Sequence, residues 1–334
     1  MPTPSGSRAV LVTGGSGYIG SVLVPRLVAR GHDTRVLDLR APAGRAALKG
    51  SAAFLEGDVR DPAVIRPAVA GVDTVIHLAF LSSDRSTQVG VRAAHAANVG
   101  GLETVLAQAI AAGVGRFIFA SSCSVYGHQA GPEEVDETAR PDPLTPYARQ
   151  KLACEQILLR QPGAPEIILL RASTVCGPSP RMRPELTFNR LIAEAWTQGR
   201  VTVANRDCVR PFVAIDDLAS CYVRLVEAET LDPAHPVLNA SGPALPMHEH
   251  AETVRRRVSA LLRTPVARSE AVGVGDPRSY RVSSALIASR YGIAFPTTLS
   301  DLVDRLRPGE PALPSPRPSA RRSDLVARAA EPSA

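Results

Sequence analysis

The chain has 334 residues, of which 45% are hydrophobic and 21% charged, and its formal net charge is +6 at pH 7. That length allows one large α/β unit, or a nucleotide-binding half joined to a smaller substrate half. The composition is typical of a globular protein, and no apolar run approaches the roughly 18 residues that a membrane-spanning helix needs.

Six short apolar runs in the first half alternate with amphipathic stretches. The runs predict strands at 8–13, 34–38, 52–56, 73–77, 116–120 and 166–171. The stretches between them predict helices at 17–30, 61–69, 90–112 and 144–160. This alternation is typical of βαβ units with right-handed crossovers. We therefore predict a doubly wound parallel sheet of the Rossmann type over residues 1–171, which a later strand near 212–215 could complete.

The second half has a different pattern. Pro- and Arg-rich loops separate helices that we predict at 185–198, 216–228, 247–261 and 298–306. We expect residues 172–307 to form a smaller, mostly helical substrate-binding lobe that interleaves with the core. Residues 308–334 are dominated by Pro, Ala, Ser and Arg with little apolar periodicity, which predicts a disordered tail.

Several of the arginines that make the chain basic lie in that tail. The net charge is therefore weak evidence for a nucleic-acid partner, and we expect neither nucleic acid nor a membrane to be bound. The first eight residues lack the apolar segment of a signal peptide. The five cysteines include no CxxC pair, which predicts reduced thiols, no metal site and a cytoplasmic protein.

A glycine-rich turn follows the first predicted strand and opens the first predicted helix. It reads Thr13-Gly-Gly-Ser-Gly-Tyr-Ile-Gly20. Glycines in such a turn let the backbone approach a pyrophosphate, and the helix N-terminus offers free N–H groups to it. The turn therefore predicts a dinucleotide site, with these cofactor contacts: Gly14, Gly17, Tyr18, Ile19 and Gly20.

Further cofactor contacts are predicted at the ends of the next strands. Asp38 ends the second strand, where a carboxylate can accept the ribose hydroxyls and repel a 2′-phosphate, which favours NAD. Arg40 lies close enough in sequence to bind such a phosphate, so NADP is the less favoured alternative. Asp58 is expected to flank the adenine, although Gly57-Asp58 could equally be a plain turn. His77 is expected to pack rather than to catalyse. The other predicted cofactor contacts are Leu39, Val59, Leu78, Ala79, Phe80, Asn98, Ser121, Tyr147 and Lys151.

The candidate catalytic residues are Ser122, Tyr147 and Lys151. Tyr147 and Lys151 are four residues apart on a predicted helix and therefore share one face. Lowering a tyrosine pKa from about 10 to 7 needs about 4 kcal/mol of preferential stabilisation of the phenolate. A neighbouring ammonium and a bound nicotinamide cation are suitable sources, so Tyr147 is a candidate general acid/base. Ser122 is placed to hydrogen-bond the same substrate oxygen.

These motifs, in this order, resemble those of the NAD-dependent epimerase/dehydratase family, within the extended short-chain dehydrogenase/reductases. The resemblance covers residues 8–307 and rests on TGGSGYIG, Asp38, Asp58-Val59, His77-Leu-Ala, SSCSVYG and YARQK. It implies the catalytic roles of Ser122, Tyr147 and Lys151, and a homodimer paired through helices. It also implies a nucleoside-diphosphate-sugar substrate, whose candidate contacts are Ser124, Thr174, Arg181, Arg183, Asn189, Arg210 and Arg278.

The residues before Val125 bear on the reaction. Dehydratases of the family usually carry Asp-Glu there, whereas this chain has Cys123 and Ser124. Neither is a good proton shuttle at neutral pH unless Cys123 is strongly perturbed. We therefore expect a nucleotide-sugar 4-epimerase, an isomerase that leaves NAD unchanged overall. A dehydratase that uses Cys123, and a 4-keto reductase or dehydrogenase, stay open. Thr174 in place of the usual Asn, and Ala214 where a His is common, point to an unusual sugar pocket. A non-catalytic dinucleotide sensor is the alternative outside the enzymes.

Overall fold

The computed structural model describes residues 6–41, 52–81, 90–129, 133–161, 165–271 and 278–309. Its centre is a seven-stranded sheet in which every neighbouring pair is parallel. The strands that build this sheet are β1 (Ala9–Thr13), β2 (Asp33–Asp38), β3 (Ala52–Glu56), β4 (Thr74–His77), β5 (Arg116–Ser122), β7 (Glu166–Ala172) and β11 (Val237–Ala240). The spatial order is β11-β7-β5-β4-β1-β2-β3, and the order reverses between β1 and β4. Ligands of such sheets bind beyond the carboxyl ends of the strands at that reversal.

Helices cover both faces of the sheet. In chain order the helices are α1 (Gly20–Ala29), α2 (Pro62–Val69), α3 (Val91–His95), α4 (Gly101–Ala111), α5 (Pro146–Leu159), α6 (Thr187–Gln198), α7 (Ile215–Glu227), α8 (Met247–Leu262), α9 (Ala285–Tyr291) and α10 (Leu299–Arg305). A π-helical turn at Ala96–Gly100 joins α3 to α4. Side chains of α1, α7 and α9 form the apolar core on one face, and those of α2, α4 and α5 form the core on the other. Because both faces are buried, the strands read as nearly continuous apolar runs.

The remaining strands build small sheets in the second half. They are β6 (Glu134–Val135), β8 (Thr174–Cys176), β9 (Arg200–Ala204), β10 (Val209–Ala214), β12 (Ala244–Pro246), β13 (Ala267–Ala271) and β14 (Arg281–Val282). β10 pairs with β8 and β12, β9 with β13, and β6 with β14. A third apolar core lies where α6, α8 and α10 pack on β9 and β10. The lobe thus contains short strands as well as the predicted helices.

The strand that completes the large sheet corrects one prediction. We expected it near 212–215, but β10 lies in the separate three-stranded sheet, and β11 pairs with β7 instead. The reason lies at Ser173, a single residue between β7 and β8. There the chain leaves the sheet, so β10 aligns with β8, with Phe212 opposite Thr174.

Two expectations, on membrane-spanning helices and on the C-terminal tail, depend on which residues the structure describes. Within them, no helix is both long enough and apolar enough to cross a bilayer. The predicted disordered tail lies outside them from residue 310 onward.

Candidate active site

The glycine turn is shaped by close backbone contacts. Gly14 has a φ of +71°, and a Cβ atom there would lie 2.6 Å from the backbone nitrogen of Ala79. A Cβ at Gly20 would lie 2.5 Å from the backbone of Gly15. No larger residue fits either position, because both contacts are with backbone atoms that cannot rotate away. The turn is therefore held against the ends of β1 and β4, and Ile19 packs on the sheet core behind it.

The outer side of the turn fits a dinucleotide. A Cβ at Gly17 would meet the Gly14 carbonyl oxygen at 3.1 Å and, apart from its chain neighbours, no other atom of the described residues within 4 Å, so this side is less crowded than Gly14 and Gly20. The Ser16 hydroxyl beside it is buried and has no hydrogen-bond partner within the described part of the chain. A buried polar group without a partner is costly unless a ligand satisfies it. Ser16 was not predicted as a contact, although its place inside the turn was a sufficient signal.

Asp38 lies at the end of β2 beside this turn. The backbone N–H of Ser16 donates to its carboxylate over 3.0 Å. Burial raises the pKa of the Asp38 carboxyl, while hydrogen bonds from the backbone of Ser16, Arg40 and Leu39 and the charge of Arg181 act in the opposite direction. Arg181 was predicted to contact the sugar nucleotide; its charge acts to lower the pKa of Asp38, and substrate contact by Arg181 stays a prediction.

Tyr18 and Asn189 join the glycine turn to the substrate lobe. The Tyr18 hydroxyl donates to the Gly177 carbonyl over 2.7 Å and accepts from the Asn189 amide nitrogen over 3.0 Å. The same amide nitrogen donates to the Arg183 carbonyl, and the amide oxygen accepts from the Gly177 N–H. The buried Asn189 amide is thus engaged by the chain itself, and substrate binding by Asn189 stays a prediction. The Tyr18 side chain likewise points to the lobe.

Asp58 and Val59 hold the loop after β3. The Asp58 carboxylate accepts from the Arg60 backbone over 2.8 Å and forms an ion pair with its guanidinium at 2.7 Å. Val59 lies against Gly101, where a Cβ would come within 2.7 Å of a Val59 methyl group. This geometry agrees with the alternative we kept open, a structured turn, and leaves adenine contact as a prediction.

Asn98 orders the segment after β4. Its amide oxygen accepts from the Leu81 N–H over 2.7 Å, and its amide nitrogen donates to the Gln150 side chain over 2.7 Å. Asn98 lies in the π-helical turn and is completely buried. It thus ties the Leu78-Ala79-Phe80 segment to α5, behind the cofactor site rather than in it.

Helix α5 positions Tyr147 and Lys151. It begins at Pro146, where proline's fixed φ suits the first helical position, and the Thr145 side chain caps it by accepting from the Ala148 N–H over 3.2 Å. Burial raises the pKa of Tyr147, whereas a hydrogen bond with Ser122 and the charges of Arg183 and Arg278 lower it. The predicted catalytic Ser122 and Tyr147 are therefore brought together.

Lys151 is buried in an aromatic environment. Its Nζ donates to the Ala120 carbonyl over 2.5 Å and lies 3.4 Å from the centre of the Phe80 ring. The Phe119 ring centre is 4.6 Å away. Burial lowers the pKa of Lys151 to about 7. His77, behind it, has a pKa lowered to about 3 by burial, and its ring bonds to the Thr13 hydroxyl, which agrees with the expected packing role.

A buried polar network lies under the catalytic helix. The Ser121 hydroxyl donates to the Glu155 carboxylate, which forms an ion pair with Arg171 at 2.6 Å. Arg171 also donates to the Tyr126 hydroxyl over 3.0 Å, and that hydroxyl donates to the Asn239 side chain. Ser121 is thus engaged below the site, and α5 is linked to β7 and β11. The sequence did not indicate this network, because its members are far apart in the chain.

Cys123 and Ser124 differ in their surroundings. The Cys123 thiol is completely buried and donates to the Arg171 carbonyl over 3.1 Å. Burial raises the pKa of this thiol strongly. The Ser124 hydroxyl is also buried but has no hydrogen-bond partner within the described ranges. The same is true of Ser173, at the carboxyl end of β7, which precedes Thr174 and was not predicted. These two hydroxyls are candidates to receive a ligand.

Three of the predicted arginines are linked to one another or to Tyr147, Arg210 by a hydrogen bond to Arg278, and Arg183 and Arg278 by their charges. The Arg210 guanidinium donates to the Arg278 carbonyl over 3.1 Å and lies 5.7 Å from the Tyr280 ring centre. Arg183 and Arg278 both act on the Tyr147 pKa. Positive charge is thus collected beside the candidate general acid/base, as an anionic substrate requires.

Comparison with known proteins agrees with this geometry. A model of the "NAD dependent epimerase/dehydratase family" matches residues 10–240. A UDP-glucose 4-epimerase from Streptomyces lividans is 31% identical over 271 residues, which are 75% of this chain and 81% of that relative.

Two solved structures extend the comparison. MoeE5, in complex with UDP-glucuronic acid and NAD, is 29% identical with a TM-score of 0.74, over 89% of this chain and 97% of that one. TunA, described as an NAD-dependent NDP-hexosamine 5,6-dehydratase of tunicamycin biosynthesis, is 27% identical with a TM-score of 0.76, over 90% and 97% of the two chains.

Proposed function

The chain belongs to the NAD-dependent epimerase/dehydratase family, and we propose that it epimerises a nucleoside-diphosphate sugar by transient oxidation at C4. The observation that carries this proposal is the pairing of Tyr147 with Ser122, next to a buried Cys123 that is unsuited to move protons. Relatives that act on UDP-glucose or bind UDP-sugars with NAD support the substrate class.

Each catalytic residue has a defined task in this proposal. NAD, when bound, would supply the acceptor for the C4 hydride, the source from which that hydride returns to the opposite face of C4, and a positive charge that favours the Tyr147 phenolate. Tyr147 takes the proton of the sugar 4-hydroxyl as C4 is oxidised. It returns that proton after the 4-keto sugar has rotated in the site to present its opposite face. Ser122 holds the reacting oxygen. Lys151, one helical turn from Tyr147, favours the phenolate through its charge.

The dehydratase alternative needs a further acid and base beside the sugar ring. Cys123 stands where such a residue would be, but its thiol donates to the Arg171 carbonyl and burial raises its pKa far above neutrality. A thiol that cannot ionise is a poor base. Likeness to a 5,6-dehydratase keeps elimination as the second candidate. A net 4-keto reductase or dehydrogenase is the third.

NAD rather than NADP belongs to this proposal, because the Asp38 carboxylate would repel a 2′-phosphate. A cytoplasmic homodimer belongs to it as well. The segments that we expect to pair are residues 98–112 and α5, on which the apolar side chains of Ile110 and Leu159 are 40% and 49% exposed. Burying such side chains against a second copy stabilises association.

The test is a panel of UDP-linked and dTDP-linked hexoses, hexosamines and uronic acids incubated in D₂O with the purified protein, with and without added NAD. Stereochemistry and deuterium content are read by NMR and mass spectrometry. We expect two C4 epimers to interconvert with no deuterium on carbon, since simple 4-epimerisation exchanges no carbon-bound hydrogen with water. Deuterium at C5, or loss of water, would instead establish elimination.

A further inference from the structure

Lys151 is a buried ammonium with few polar partners. It is 3% exposed, and its hydrogen bond goes to the Ala120 carbonyl. The nearest carboxylate on its own helix, Glu155, is already bound by Arg171 and Ser121. Within the described part of the chain, Lys151 forms no ion pair. A buried charge without a counter-ion needs another source of stabilisation.

Among the described residues, the faces of aromatic rings, rather than carboxylates, lie around this ammonium. Nζ lies 3.4 Å from the Phe80 ring centre, 4.6 Å from that of Phe119 and 5.8 Å from that of Tyr147. Phe80 stands edge-on to Tyr147, with the ring centres 5.5 Å apart and the planes at 89°. The face of an aromatic ring carries negative potential, which attracts a cation within about 6 Å.

Phe80 is also fixed in place. The residue after it, Leu81, is held by the Asn98 amide through its N–H and its carbonyl. The backbone of Ala79, before it, lies against Gly14 of the cofactor turn. The ring is therefore attached to a rigid segment between the cofactor site and α5.

We propose that Phe80 is a positioning residue that keeps Lys151 charged and oriented beside Tyr147, by presenting its ring face to the ammonium. The inference rests on the proposed function in one respect. Its effect on activity follows because Tyr147, as the general acid/base, needs a charged Lys151. The other titratable groups facing Lys151 are Cys154 and Glu155 on its own helix and His77 on β4. Burial lowers the pKa of His77 to about 3, so this ring does not change charge near pH 7. The Glu155 carboxylate is bound by Arg171 at 2.6 Å. Burial also raises the pKa of the Cys154 thiol to about 12.

The chain offers a direct measurement, because it contains only two lysines, Lys49 and Lys151. A Lys49→Arg protein labelled with ¹³C-lysine, saturated with NAD, gives a single ε-carbon resonance whose pH titration reports Lys151. In that background, Phe80→Leu keeps the apolar cover and removes the ring face, while Phe80→Tyr keeps both. We expect Phe80→Leu to lower the Lys151 pKa by about one unit, a tenfold change in its protonation equilibrium. Phe80→Tyr is expected to leave the pKa unchanged.

Each outcome decides the proposal. An unchanged or raised Lys151 pKa in Phe80→Leu, or an equal fall in Phe80→Tyr, would overturn it. If Phe80→Leu does not fold, the ε-methylene protons of the parent protein decide, since a ring face at this distance shifts them upfield and an unshifted resonance would refute the contact. The basic limb of the pH profile of kcat/KM separates the two proposals. A lowered Lys151 pKa with an unmoved activity profile would uphold the role of Phe80 and refute the catalytic role of Lys151.

Discussion

The cofactor half and the substrate lobe differ in how well their sequence predicts where the site residues lie. In the first half, most predicted contacts lie at the end of a strand or near the start of a helix, and the parallel sheet brings the strand ends to one edge. In the lobe, the predicted contacts lie on loops, short strands and the helix α6, and the structure divides them. Arg181 acts on Asp38, Arg183 and Arg278 act on Tyr147, and Asn189 is used inside the protein. The positions of contact residues can thus be predicted from sequence where a regular sheet holds them, but not in the lobe.

The largest effect is expected from Tyr147→Phe, which tests whether the first half carries the chemistry. Removing one hydroxyl from a general acid/base should lower kcat about 1,000-fold. NAD binding should persist, because the glycine turn and Asp38 are untouched. Steady-state kinetics and NAD titration by tryptophan fluorescence measure the two properties.

Tyr291→Phe is the matched control. The Tyr291 hydroxyl accepts a hydrogen bond from the Asp232 N–H over 3.2 Å, far in the chain from every catalytic residue. Its activity should equal that of the parent protein. Full activity in Tyr147→Phe would refute the catalytic assignment of Tyr147 and favour a dinucleotide sensor.

The next largest effect distinguishes Arg183 from Arg181, which lie two residues apart in the chain, by the ligand that each affects. Arg183→Ala should raise the KM for the nucleotide sugar by about 10- to 100-fold, because a hydrogen bond to a charged partner contributes about 1.5–3 kcal/mol. Arg181→Ala should leave that KM nearly unchanged and raise the NAD dissociation constant by about 10-fold instead. Isothermal titration with NAD and kinetics with the sugar nucleotide give both numbers for each variant. Equal effects of the two variants on both ligands would contradict the division of the lobe described above.

The same contrast explains what the sequence could predict. The strands of the large sheet were predicted to within two residues except β11, because apolar runs and glycine turns are local signals. The glycine turn, Asp38, Ser122, Tyr147 and Lys151 follow from local motifs as well. By contrast, β11 is only four residues long, and it pairs with β7 from nearly 70 residues away. The ring face over Lys151 and the network of Ser121, Glu155 and Arg171 depend on packing between elements, which no single segment encodes.

The smallest effect tests whether Asn189 positions the lobe rather than binding the sugar. Asn189→Ala removes the acceptor of the buried Gly177 N–H, and one of the two partners of the buried Tyr18 hydroxyl, which keeps its bond to the Gly177 carbonyl. Leaving the Gly177 N–H unpaired should lower the free energy of unfolding by about 1–3 kcal/mol, measured by urea denaturation. NAD affinity should fall with it, because Tyr18 belongs to the cofactor turn. A residue that contacts the sugar would show the reverse, a raised KM at unchanged stability. Asn189 thus decides whether the lobe is coupled to the cofactor half through this buried junction, or only through the ligand that lies between them.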